Sequence, residues 1–371
     1  MKKILIVFFV FAYVAARPQT VPVIKTSIPC KQAMADTVKG YWINPVRSNK
    51  IDAEQFRRFN QLQQIMLETY PTPTGAVAAW VGNFQNIGFP NKIKFVKNQW
   101  GTINEESVTN NRFSSIWYHV ILYSYFCKGQ NEIGTIFPEI AGGVGFGIEA
   151  NNLKVAEQES QVKQDEILID GRPMLMLDRV AAYWKGHELF CSGCGANLPA
   201  PSRYYLLIHR PGALPYVPVT RKQYLERAIL YFTKFYDDAI EEFDKVAASQ
   251  LDDEERAKTK KATAKQKEET LRWYNDELAR SSRNNLLDAP AVVRSIFEFP
   301  YDGGTVFINE SDGGRELVIE DANYMRKDLP KYASQFFVVS WSWNNQPYGL
   351  AFKNAVEENF PVEKLQALID K

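Results

Sequence analysis

Two cysteines three residues apart are the part of this chain best placed to do chemistry. The run is His187-Glu188-Leu189-Phe190-Cys191-Ser192-Gly193-Cys194, and three chemistries use such a run. Redox exchange of the thioredoxin kind needs a Cys-x-x-Cys that opens a helix, whose dipole stabilises the thiolate. Here Gly195, Pro199, Pro201 and Ser202 follow, so no helix is expected. A metal could draw on His187, Cys191 and Cys194. Structural zinc, however, takes four ligands, often from paired clusters, and the chain has no second Cys-x-x-Cys or histidine cluster. The third chemistry is a structural disulfide. Cys30 and Cys127 bring the cysteines to four, and an even count in an oxidising compartment favours bridges. Three pairings satisfy the count. The preferred one joins Cys191 to Cys194 and Cys30 to Cys127, because Ser192-Gly193 is turn chemistry that can close a tight loop.

Other catalytic signals are sparse. The three histidines are His119, His187 and His209. His119 lies in an aromatic strand pattern and His209 ends an apolar run, the setting of core or surface histidines. The members of a Ser-His-Asp triad need not be near in sequence, but the Gly-x-Ser-x-Gly elbow that often accompanies one is missing. So are His-Glu-x-x-His and the phosphate-binding Gly-x-x-x-x-Gly-Lys. Gly142 to Gly147 is glycine-rich without the strand-turn-helix setting of dinucleotide binding, and reads as a turn or a glycine-rich strand. Glu139, Glu149 and Asp178 follow apolar or glycine-rich stretches and are the carboxylates a glycosidase-like site would use. Acids at such places are more often turn formers or caps, so no catalytic residue is assigned and no cofactor is expected.

The N-terminus bears on compartment. Met1-Lys2-Lys3 is followed by an apolar stretch from Ile4 to Val14 and by Val14-Ala15-Ala16, the layout of a cleavable export signal. The stretch is about half of the roughly 20 residues that span a bilayer. Export is therefore expected, with cleavage after Ala16, no remaining membrane span, and a periplasmic or secreted location. Removing Lys2 and Lys3 leaves 42 basic and 43 acidic residues, a net charge of −1. That balance provides no long-range field for nucleic acid, and nucleic-acid partners are excluded from the reading.

The fold class expected is α+β. An antiparallel, β-rich body carries a long antiparallel helical hairpin, about residues 220–281, inserted between β regions. The expected divisions are a leader (1–16), an N-terminal α+β region (17–215), the hairpin (216–290), and a C-terminal β-hairpin region with a terminal helix (291–371), packed with the N-terminal region. A first helix follows Asp52, with Gln55 at capping-box spacing and Phe56, Phe59, Leu62, Ile65 and Met66 in a stripe. The run Ile116–Phe126 reads as a central strand buried on both faces, Ile167–Leu177 as a hairpin about Asp170-Gly171, and Arg203–His209 as a strand. Residues 305–308 and 316–319 read as another hairpin. Phe337, Val339, Trp341 and Trp343 share one face of a strand, and Pro361 opens a last helix. Asn309-Glu310-Ser311 is a glycosylation sequon, which matters only in a eukaryotic secretory route.

The helical hairpin is the clearest pattern. Thr220 and Gln223 form a capping box, with Val219 and Tyr224 as a staple. Leu225, Phe232, Ala239 and Val246, with Ile229, Tyr236, Phe243 and Gln250, make a heptad seam over a helix of about 29 residues, roughly 43 Å. A second helix is capped by Asp252 with Glu255, and its expected seam is Ala257, Ala264, Leu271 and Leu278. Asp237, Asp238, Glu241, Glu242 and Asp244 close the first helix. Lys258, Lys260, Lys261, Lys265 and Lys267 open the second. Only a fold-back near residue 251 lays these blocks side by side, which accounts for the lysines without nucleic acid.

Function follows from export, the missing motifs and the hairpin. The expected activity is non-enzymatic binding of a protein, small molecule or glycan at the cell envelope or outside the cell, with aromatic faces such as Trp341 and Trp343 as one place for a groove. An exported carboxylate-based hydrolase is the first alternative. A scaffold acting through the hairpin is the second.

Overall fold

The structure, a computed structural model, describes residues 24–29, 31–43, 53–97, 103–128, 133–153, 168–192, 203–247, 252–300 and 304–371. The export signal, Cys30, Asp52, Cys194 and Gln250 lie outside the described residues. In chain order the elements are β1 (Ile24–Pro29), α1 (Gln32–Ala35), β2 (Trp42–Ile43), α2 (Ala53–Thr69), β3 (Ala76–Lys97), β4 (Ile103–Lys128) and β5 (Ile133–Ala150). Then come β6 (Leu168–Ile169), β7 (Arg172–Pro173), β8 (Leu175–Met176), β9 (Arg179–Trp184), β10 (His187–Ser192), β11 (Arg203–Ile208) and β12 (Tyr216–Pro218). The helices α3 (Arg221–Ala247) and α4 (Asp253–Arg283) precede β13 (Val292–Val293), β14 (Arg315–Glu320), β15 (Phe337–Ser342), α5 (Pro347–Asn359) and α6 (Val362–Gln366). Antiparallel pairing dominates, with helices segregated in sequence, so the class is α+β. No helix among the described residues is long and apolar enough to cross a membrane.

The chain divides into two compact units, each discontinuous in sequence. The first comprises Met1–Gly82, Tyr118–Phe146 and Ser342–Pro361. Its strands run in the order β2-β3-β4-β5, with β1 antiparallel on β5 and β2 parallel to β3. The stripe of α2 buries Phe59, Leu62, Ile65 and Met66. Phe59 lies 5.4 Å from Trp80, and Trp80 stacks 5.4 Å from Tyr118. Gly82 makes that approach possible, because a Cβ there would come within 2.3 Å of the Phe59 ring. The central strand is not buried on both faces. Along β4, Ile116, Tyr118, Val120 and Leu122 are buried, while Trp117, His119, Ile121 and Tyr123 are half-buried. The helix α5 was not anticipated; it packs on α2 through Phe352, 5.4 Å from Tyr70.

The second unit comprises Asn83–Trp117, Gly147–Trp341 and Val362–Lys371. Its larger sheet has the order β15-β11-β10-β9, antiparallel throughout, with Leu206 opposite both Leu189 and Val339. The β6–β7 hairpin turns at Asp170-Gly171, both in the left-handed region. The expected pairing of 305–308 with 316–319 does not form. Residues 305–308 make no strand, and β14 instead pairs with β8, β12 and β13. Long-range partners occupy the ladder that a local hairpin would have used.

The helical hairpin belongs to this unit. Its base shares one apolar cluster with the strands and loops beneath it, including Phe232, Tyr236, Tyr274, Phe297, Phe307 and Leu317. The two helices are antiparallel, for Asp237 meets Lys267 and Asp244 meets Lys260, each at 2.5 Å. Half of the expected stripe on the second helix is used: Leu271 and Leu278 pack against the shared cluster. Ala257 and Ala264 are exposed, whereas Thr270, Tyr274, Glu277 and Ser281 are buried. Alanine buries too little area to set a seam. Large Tyr274, with Leu271 and Leu278 beside it, sets it instead.

Candidate functional site

Polar side chains left over from packing gather at the root of the hairpin. The start of α3 is fixed by its reciprocal box, in which Thr220 N–H donates to Gln223 Oε1 at 2.9 Å and Gln223 N–H donates to Thr220 Oγ1 at 3.2 Å. Arg221 N–H donates to Ala289 O at 2.9 Å and Lys222 N–H to Leu287 O at 3.0 Å. The first-turn amides, which are often an anion site, are thus spent within the chain. The last turn of α4 lies beside this start, ending at Arg283 with Asn284 as C-cap. Between these ends and the segment from Thr305 to Asp312 is a cleft of about 450 Å³.

Three guanidinium groups, those of Arg221, Arg280 and Arg294, line the cleft with two carboxylates, Glu277 and Asp312. Both carboxylates are committed. Buried Glu277 is ion-paired with Arg280 and accepts from the Ser281 hydroxyl at 2.9 Å. Asp312 accepts from the Asn309 amide at 3.0 Å and from the Ser311 hydroxyl at 3.3 Å. Arg294 lies 3.8 Å from Glu298. Arg221 differs: its Nε is buried with no hydrogen-bond partner, and its guanidinium sits 4.5 Å from the Phe307 ring centre. Phe307, Ile308 and Leu286 add an apolar wall.

The residues singled out from sequence lie elsewhere. His187 and Cys191 stand four residues apart on β10, about 13 Å along an extended strand, so they do not converge on one ion. No group of three or more metal-binding side chains occurs among the described residues. Neither Cys127 nor Cys191 is a free thiol; the expected pairing also needs Cys30 and Cys194, outside the described residues. Glu139 is exposed on β5 in the first unit. Glu149 accepts from the Asn152 amide at 2.9 Å. Burial pushes the Asp178 carboxyl above its ordinary value, opposed by Arg315 and the Ser192 hydroxyl. Trp341 is buried between Trp184 and Tyr204, at 5.6 and 5.4 Å, and Trp343 is buried as well, so neither lines a groove.

His187 and His209 do come together, with ring centres 5.2 Å apart. Burial lowers the pKa of His187, and the charge of His209 adds to this. Burial also pulls His209 down, but the Glu188 carboxylate at 2.9 Å and the Arg210 carbonyl at 2.8 Å more than offset it and hold His209 above the ordinary value. All three side chains are buried, which suits a structural pair rather than a base that meets substrate. His119 is half-buried on β4, apart from them in the first unit.

Sequence reasoning missed the cleft because its arginines come from three separate segments with no motif. Their one local signal was Arg221 directly after a helix cap. The chain matches no known protein family, no curated protein and no solved structure, so its function has to be read from the cleft's own chemistry.

Proposed function

We propose that this chain is an exported, non-enzymatic binding protein of the cell envelope or extracellular space, and that its ligand enters the cleft at the hairpin root. The observation that carries the reading is a polar cleft whose two carboxylates are both engaged, Glu277 by an ion pair and a hydrogen bond and Asp312 by two hydrogen bonds. Carboxylate-based hydrolysis needs a proton donor and a second acid free to act. Donors that hold a ligand are present instead. The disulfides proposed are Cys191–Cys194 and Cys30–Cys127. The second pairing is supported by Gln32, whose amide accepts from Cys127 N–H at 3.2 Å and donates to Tyr125 O at 2.9 Å, two residues along from Cys30.

The test is a panel of anionic, neutral and glycan compounds, scored by thermal shift against the protein recovered from the export route. A compound that stabilises the fold and returns chemically unchanged is the expected result. Recovery of a cleaved compound would replace this reading with the hydrolase. N-terminal sequencing of the exported protein is expected to begin at Arg17.

The exposed outer half of the hairpin supports a second reading, partner binding by the tip. Replacing residues 226–278 by a short linker tests it: lost partner binding by a folded protein favours the tip, and retained binding assigns the hairpin to the fold.

A further inference from the structure

We infer that the cleft takes an oxyanion, a carboxylate or phosphate group carried on an apolar body, with Arg221 as its anchor; this rests on the reading of the cleft as a ligand site. A guanidinium stays charged at every physiological pH and carries donors in a fixed fork. Arg221 is half-buried on the cleft wall, and among the described residues no carboxylate stands within ion-pairing distance of it. Its Nε is enclosed, so a ligand would meet the rest of the fork, and an unpaired charge in such a place is costly to leave. The carboxylates that could complete it are engaged elsewhere, Glu277 with Arg280 and Ser281, and Asp312 with Asn309 and Ser311.

The surroundings narrow the ligand further. Phe307 lies 4.5 Å from the guanidinium, a contact that restrains the fork in one plane and favours bidentate capture of a carboxylate or phosphate. Arg280 and Arg294 stand on the same cleft but are offset by Glu277 and Glu298, which leaves Arg221, among the described residues, as the guanidinium there without a carboxylate partner. The first-turn amides of α3 are consumed within the chain, so recognition falls to side chains and is open to mutation. Leu286, Phe307 and Ile308 offer the apolar body a wall.

The experiment is calorimetric titration of the full exported protein with phenyl phosphate, phenylacetate, inorganic phosphate and neutral benzyl alcohol. The aryl oxyanions are expected to bind more tightly than inorganic phosphate and than benzyl alcohol, and the stronger of the two names the anion. Arg221→Gln is expected to weaken that binding about tenfold or more, the size of a lost charge-assisted pair. Arg221→Lys, which keeps the charge and loses the fork, is expected to fall between. Lys222→Gln, one residue along on an exposed side chain, is expected to leave binding unchanged. Without ligand, Arg221→Gln is expected to melt no lower than the wild type, whereas a structural arginine would show a loss. Oxyanion binding that survives Arg221→Gln in a folded protein overturns the proposal. Binding of benzyl alcohol without the oxyanions overturns the ligand class but keeps the cleft as a ligand site. No binding by any probe overturns the oxyanion inference alone, and failure of the wider compound panel as well overturns the site.

Discussion

The root and the tip of the helical hairpin use the same two helices in opposite ways. At the root, Phe232 packs 5.4 Å from Tyr274 and 5.8 Å from Phe297, and the Tyr274 hydroxyl donates to Glu298 O at 2.8 Å. Toward the tip the described alanines Ala257 and Ala264 face solvent, and the ion pairs Asp244–Lys260 and Asp237–Lys267 bridge the helices. Rings buried at the root supply area removed from water, about 1.5–3 kcal/mol for a full aromatic side chain. Exposed charge pairs supply at most about 1 kcal/mol each, but they specify which residues face which. The comparison separates strength from register: one end holds the hairpin on, and the other aligns it.

The largest test is truncation of the rings. Phe232→Ala is expected to cost about 3–5 kcal/mol by denaturant unfolding, and Phe243→Ala, half-buried near the tip, clearly less. Equal losses would erase the distinction. The next test uses a charged pair that is buried as the rings are, but in the β9–β11 sheet rather than in the hairpin. His209→Gln strips the buried Glu188 of its partner and is expected to cost about 3 kcal/mol, although the ionic groups resemble those of the tip.

The two histidines also give slopes of opposite sign with pH. His209, raised in the folded state, contributes stability below the ordinary histidine pKa that is lost as pH rises through its folded value. His187, lowered, contributes nothing adverse above the ordinary value, and its penalty builds as pH falls from there toward its folded value, below which it is constant. Urea midpoints between pH 5 and 8 (a range spanning the ordinary value of about 6.5) are expected to show His187→Gln losing less stability in acid than the wild type. Thr220→Ala, which removes the cap at the root, is expected to cost about 1 kcal/mol. The smallest effect is at the tip. The coupling between Asp237 and Lys267 in a double-mutant cycle is expected below about 1 kcal/mol and absent in 1 M salt.

What could be read from the chain beforehand follows its range of interaction. Both capping residues of the hairpin, Thr220 and Asp252, were legible because a cap involves residues three apart, and the second also forms, with Glu255 N–H donating to Asp252 Oδ1 at 2.8 Å. The first helix's seam was legible because aromatic rings mark it. The second helix's seam was legible at Leu271 and Leu278, which pack against the shared cluster, but not at Ala257 and Ala264, because counting apolar residues gave these alanines a weight that their small area does not support. Residues 305–308 have strand-like composition, but β14 pairs elsewhere, and local propensity yields to such pairing.

The sequence by itself determined where the hairpin helices begin and that they fold back, because caps and opposed blocks of charge act over a few residues or demand one geometry. Tertiary structure alone decided which charges were left over. Arg221, Arg280 and Arg294 are equivalent as letters. Two of them have carboxylates within ion-pairing distance, while the third rests on Phe307 with a buried donor unmet. Compensation of a charge depends on what stands within a few ångströms of it, and that is settled only when distant segments pack.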